Sequence, residues 1–224
     1  YYASDRGLGI FKSGKDSLDL ATQFHVRQDL GGHTHSDRLD FTFSGLGRIW
    51  IRKTFGGSQF HPSKYHSMVL VDDQGVALTD LDGDKSRQPA SVLNCTYDDD
   101  LSKMTGDATY AYSWEWSWWK QFPGNDHPQL GTNGWEAVME TRNYFLPITQ
   151  SQAHFDLPFY DYPHWHDEGY LERMVKRPYN PMNKVIRNVG MIRGENPFLL
   201  ITDDIEKDGA THNYKSVSYT HLRA

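Results

Sequence analysis

Two histidines set one residue apart are the first chemistry in this chain. The segment Gly31-Gly32-His33-Thr34-His35-Ser36-Asp37-Arg38-Leu39-Asp40-Phe41 carries both, with an aspartate two positions further on. On a strand, residues two apart share a face. His33, His35 and Asp37 therefore face one way if the strand has begun by His33. His66 stands just before the apolar run at 68–71, and His61 lies five residues upstream of it. Two imidazoles and a third ligand from a neighbouring strand can hold a divalent metal. The same residues can equally be ordinary polar positions, because 11 histidines in 224 residues bring some together by chance.

The elements that must position these groups read mainly as strands. Residues 40–44 alternate with period two, and 49–52 and 68–71 are short strand-like runs. Asp72-Asp73-Gln74-Gly75 signals a turn, after which 76–78 resumes. Residues 107–112 alternate small or polar with aromatic. Residues 185–192 and 198–201 are two further strands joined by the turn residues 193–197. Helical signals are few: 17–23 fits one turn, and 134–144 has fair helix formers but reads equally as a strand leading to Arg142. Residues 122–179 are rich in Pro, Asn, His and aromatics and read as a long decorated loop or insertion; loops this long are usually functional. Together these features predict an all-β fold: an antiparallel β-sandwich, supersandwich-like, with long loops.

Composition narrows the functions. Lys plus Arg number 23 against 29 Asp plus Glu, and a net charge of −6 leaves no basic stripe for DNA or RNA. Mean hydropathy is −0.70 with no apolar run of membrane-spanning length, so no membrane partner is expected. Cys95 is the only cysteine, which excludes an intrachain disulfide and a paired-cysteine zinc site. The chain opens at Tyr1 without a basic or apolar leader, and reads as a fragment or mature piece of something longer.

Two family patterns bear on the histidines. His33-x-His35 with Asp40 and Gly47 approximates the first metal motif of cupins. The second cupin motif is broken around Pro62 and His66, which lack its glycine and asparagine. A longer match lies elsewhere. GGHTHSDRLDFTFSGLGRIW, YHSMVLVDDQG and RNVGMIRGENPFLLITDDIEKDGATHNY, in that order, resemble the C-terminal domain of heparinase II/III-like polysaccharide lyases. The resemblance runs roughly from Tyr1 to Lys215. It implies a β-sandwich, here 1–216, that in the whole enzyme follows an N-terminal α/α toroid absent from this chain. It implies β-elimination on a uronic-acid glycan such as a glycosaminoglycan, alginate or ulvan. A periplasmic or secreted location is implied as well.

By that resemblance His33 is the cleft-facing catalytic histidine, and His35 and His66 ligate a structural zinc. The family's third zinc ligand is an aspartate between them, yet residues 48–57 contain no carboxylate. Arg52 and Lys53 stand there instead. They either replace the metal electrostatically or grip a substrate carboxylate or sulfate. No cofactor other than this zinc is expected. Asp37 is expected to orient a histidine or cap backbone. Arg187 and Arg193 are candidate contacts for anionic sugar, with a solvated surface as their alternative. The Trp-rich block at 112–119, Trp116 included, is either a sugar-stacking platform or sheet packing. The loop at 154–170, with His164-Trp165-His166, is a candidate cleft rim. The tail 217–224 resembles translated adapter read-through and is set aside from the fold. The rival readings are a non-catalytic carbohydrate-binding sandwich and a cupin-like metalloenzyme using His33, His35, Asp40 and His66.

Overall fold

A computed structural model describes residues 1–27, 35–53, 63–76, 90–113 and 180–218, and the backbone of three strands at 116–121, 136–141 and 171–176. Strands β1 (Tyr2–Ala3), β2 (Leu8–Lys12), β3 (Ala21–His25), β4 (Asp40–Gly45) and β5 (Arg48–Ile51) form an antiparallel sheet in chain order. Strand β6 (Val69–Val71) pairs with β14 (Tyr214–Ser216). Strands β7 (Ser91–Tyr97), β8 (Leu101–Asp107), β12 (Lys184–Ile192) and β13 (Phe198–Glu206) form a second antiparallel sheet, ordered β13-β12-β8-β7. The turn expected at 193–197 joins β12 to β13 as a hairpin, with Ile192 opposite Phe198.

Alternation explains the sandwich. In β3, Thr22 and Phe24 point inward; in β12, Val185, Arg187, Val189 and Met191 do. Phe11, Phe24, Val26, Met104, Val189 and Met191 are wholly buried between the two sheets. Each such side chain contributes about 1.5–3 kcal/mol by leaving water. Gly106 on β8 marks the closest approach: a Cβ there would sit 2.5 Å from Leu39 Cδ2 and 2.6 Å from Val26 Cγ2. The sheets stay open at β1, β5, β7 and β13 and do not close into a barrel.

Several local expectations differ from the structure. Residues 17–23 form no helical turn. The Asp19 carboxylate accepts the Asp16 N–H at 2.7 Å in the β2–β3 connection, and β3 begins at Ala21. Alternation at 107–112 does not continue a strand. The Asp107 carboxylate accepts the Thr109 N–H at 2.8 Å, starting a short helix α1 (Thr109–Ser113). Of the two alternatives for residues 122–179, the described strands fit an insertion rather than one loop. β9 (Trp116–Gln121) and β10 (Glu136–Thr141) both pair antiparallel with β11 (Leu171–Lys176), giving the order β10-β11-β9. The strand alternative for 134–144 thus holds, because pairing overrides the helix propensity of Glu, Ala and Met. Among the described residues no helix is long and apolar enough to cross a membrane.

Candidate functional site

Sequence alternation put His33, His35 and Asp37 on one strand face. The structure begins β4 at Asp40 instead. Leu39 has φ 68°, a left-handed backbone rare outside glycine, and the Asp40 N–H donates to the Asp37 carbonyl at 3.2 Å. The Leu39 N–H donates to the His25 carbonyl at 2.8 Å, which docks this turn on the end of β3. Asp37 and Asp40 are therefore brought together by a turn, and His33 lies outside the described residues.

Asp37 is fully buried among cations. Lys53 Nζ lies 2.5 Å from Oδ2, while Arg27 Nε lies 3.3 Å and Arg38 Nη1 3.6 Å from Oδ1. Burial disfavours its charge. Lys53, Arg27, Arg38 and His66, in that order, together outweigh that burial and hold the carboxyl well below the usual carboxylate range. Asp37 is thus the central anion of a charged corner, where the sequence suggested an orienting or capping residue. Lys53 reaches it from just past the end of β5. The neighbouring Arg52 is exposed.

Asp40 and His66 complete the corner. Asp40 Oδ1 accepts the Ser67 N–H at 2.9 Å, and Oδ2 lies 3.5 Å from His66 Nδ1. His66 is 1% exposed, and neither ring nitrogen finds a hydrogen-bond partner among the described residues. The His35 and His66 rings meet edge-on, 5.2 Å between centroids. His25, at the end of β3 opposite Asp40, is half-buried. Burial, then the Lys53 cation, lowers its pKa to about 4 and keeps it neutral.

Arg187 ties the corner to the second sheet. Its Nη1 donates to the Leu39 and Ser67 carbonyls at 2.8 and 2.6 Å, and Nε and Nη2 grip Asp203 at 2.6 and 3.0 Å. The guanidinium is 3% exposed and also lies over Phe41. This corrects its expected contact with sugar and the alternative of a solvated surface: its donors are engaged inside the protein. Arg193 likewise donates to the Lys12 and Asp98 carbonyls and to Ser102 Oγ.

Two features of this corner bear on a structural zinc, and they oppose each other. Ligand atoms of Asp37, Asp40 and His66 lie within 4.8 Å of one another, a spacing that suits a divalent ion. Both Asp37 oxygens, however, already face cations. Among the described residues three cations face two carboxylates here, which disfavours added charge, while Asp40 Oδ2 and both His66 ring nitrogens are buried without a hydrogen-bond partner, as ligand atoms would be.

The remaining candidates scatter. Trp116 opens β9, opposite Lys176. His61 and the loop at 154–170 lie outside the described residues. His212 bridges the Asp72 and Asp208 carboxylates at 2.8 and 2.7 Å, away from the charged corner. An open cleft of about 410 Å³, lined by Lys12, Asp16, Asp19, Gly45 and Arg48, lies at the opposite end of β3 and β4. The contribution of Arg27, Arg38 and His25 escaped sequence reading, because no spacing rule links them to Asp37. Asp40 was visible in the cupin pattern.

No protein-family model and no curated protein matches the sequence. Solved structures do. The "Heparinase III-BT4657 gene product" is similar over 97% of this chain and 42% of its own, at 7% identity and TM-score 0.41. Heparan sulfate lyase HepC from Pedobacter heparinus is similar over 90% of this chain and 42% of its own, at 10% identity and TM-score 0.41. The chain thus spans about two-fifths of each of these structures.

Proposed function

We propose that this chain is the β-sandwich part of a polysaccharide lyase that cleaves uronic-acid glycans by β-elimination. One observation carries the reading. The three separated sequence blocks that resemble such lyases meet at a single residue, Arg187. It belongs to the third block, donates to Leu39 in the first and Ser67 in the second, and is held by Asp203 in its own. The corner so formed anchors the segment that leads back to His33.

In the proposed reaction, His33 removes the C5 proton of the uronate. Electrons of the C5–H bond form the C4–C5 double bond as the C4–O bond breaks. A second group, from the toroid of the whole enzyme, protonates the leaving oxygen. No water is consumed. Neutralising the substrate carboxylate acidifies C5, and the exposed Arg52 suits that task or the binding of a sulfate. Lys53 lies against Asp37, and the proposed reaction gives it no contact with substrate. Trp116 remains a proposed stacking surface for sugar. A periplasmic or secreted setting fits a polymeric substrate.

The test is absorbance of the conjugated C4–C5 double bond, with the sandwich joined to its upstream toroid and offered a panel of uronate glycans. A rising signal on one glycan, abolished by His33→Ala, is expected. Turnover near wild type in His33→Ala removes that residue from the mechanism. A flat signal from folded protein, with retardation on acidic polysaccharide gels, replaces the lyase with a binding module.

A further inference from the structure

His212 stands between two carboxylates. Its Nδ1 lies 2.8 Å from Asp72 Oδ2 and its Nε2 lies 2.7 Å from Asp208 Oδ1. An ionised carboxylate accepts hydrogen bonds and donates none, whereas a neutral imidazole has one N–H and one lone pair. Both contacts are satisfied together only when the ring is an imidazolium. The ring is 10% exposed, so the carboxylates rather than water are its main partners.

Asp72 is where this histidine meets the rest of the fold. It stands with Asp73 in a tight turn after β6, both at positive φ (52° and 63°), a backbone that Asp tolerates better than most residues. The Asp72 N–H donates to the Asn213 carbonyl at 2.8 Å, and Asp72 Oδ1 accepts the Asn213 N–H at 3.1 Å. Lys207 Nζ reaches Oδ2 at 2.7 Å. The connection from β13 to β14 is thus fastened to the β6 turn through one aspartate. β14 has little else to hold it, since its three residues are exposed and it pairs with β6 alone. β6 is held independently: Val69, Leu70 and Val71 are buried, and the Tyr112 hydroxyl donates to the Val69 carbonyl at 2.6 Å. We propose that His212 is a pH-sensitive clasp, which holds β14 on β6 while the ring is protonated and loosens it when the proton leaves.

The charges around the ring fix the direction. Among the described residues, Asp72 faces it from the turn after β6, and Asp208 and Lys207 from the connection after β13. The Tyr214 ring meets it edge-on from β14, 6.5 Å between centroids, and Asp73 and Lys215 pair with each other beside it. Hydrogen bonds to Asp208 and then to Asp72 raise the His212 pKa above its ordinary 6.5. The folded ring therefore keeps its proton to higher pH than the unfolded chain does. The clasp contributes fully below pH 6.5 and is lost as pH rises through the raised pKa. That dependence is opposite in sign to that of a histidine kept neutral, such as His25. Asp208 is half exposed, so the effect is local to β14 rather than global. The inference does not rest on lyase activity, and its test reads protons and amide exchange rather than turnover.

The experiment follows the imidazole nitrogens and backbone amides of the 224-residue protein by NMR. The titration runs from about pH 5 to about pH 9. Below pH 6.5 both His212 nitrogens are expected to carry protons, with a midpoint above 6.5. Exchange of the β14 amides and of Val217, which donates to the Met68 carbonyl, is corrected for the ordinary pH dependence of exchange. It is expected to accelerate about tenfold as the ring titrates. His212→Gln keeps a donor but cannot titrate, and is expected to exchange fast at every pH. Asp208→Asn is expected to lower the His212 midpoint. A wild-type midpoint at or below 6.5 overturns the proposal, because the ring is then not held between two carboxylates. Constant exchange in β14 across the wild-type titration overturns it as well. So does slow exchange or a persistent step in His212→Gln, or an unmoved midpoint in Asp208→Asn. The two wild-type readings decide the matter even if a variant fails to fold.

Discussion

A buried arginine with four directed bonds is a different object from a surface arginine. Arg187 spends its guanidinium on two carbonyls and one carboxylate, and those carbonyls belong to residues 148 and 120 positions away. Removing it strands Asp203 and leaves the Leu39 and Ser67 carbonyls without this donor. Arg187→Met is therefore expected to cost about 3 kcal/mol, at the lower end for a broken buried pair because Asp203 is one-quarter exposed. Arg187→Lys is expected to recover little, since one ammonium cannot reach all three acceptors. Chemical denaturation of both variants checks this; wild-type stability in either would show that the contacts add little. Arg187 was visible in sequence as a charge near a strand. Its burial was not, because a charge in an alternating run reads as solvent-facing until the opposite face is known to be closed.

Elements meet where side chains are missing as much as where they are present. Gly106 lets β8 approach Leu39 and Val26 within the space a methyl group would fill. Gly106→Ala is expected to destabilise by about 1–3 kcal/mol through overpacking. A denaturation midpoint matching wild type would mean the five-stranded sheet shifts at no cost. The strands themselves were largely legible: 40–44, 68–71, 185–192 and 198–201 all fall on observed strands. Their failures were local. Asp107 carries an acceptor that starts α1, and Leu39 takes a left-handed backbone that delays β4. β9, β10 and β11 were obscured for another reason, since pairing partners separated by long stretches leave no mark in local periodicity.

At the scale of the whole molecule, the charged corner links stability to pH. His25 is neutral in the folded protein, with a pKa lowered from 6.5 to about 4 by burial and by Lys53. The unfolded chain takes up a proton near 6.5, which the folded chain refuses until about 4. Stability is therefore full above pH 6.5 and falls as pH drops through that window. The expected loss is on the order of 3 kcal/mol across the window. His25→Gln is expected to flatten that part of the curve. Equal slopes for the two proteins would place His25 in a more hydrated setting than its burial indicates. Asp37 acts in the same direction but lower on the scale, because its carboxyl stays ionised until well below the usual range.

The sequence by itself determined the all-β class, the main hairpins and the segment in which chemistry was to be sought. Those follow from alternation and turn residues, which are local and written directly in the chain. It also marked the oddity of Arg52 and Lys53 where a carboxylate was expected. Only the tertiary structure shows where Lys53 goes. Lys53, Arg27 and Arg38 converge on Asp37, and Arg187 closes the corner from the other sheet. The physical reason is that electrostatic partnership depends on distance and burial in space, and neither is a property of spacing along a chain.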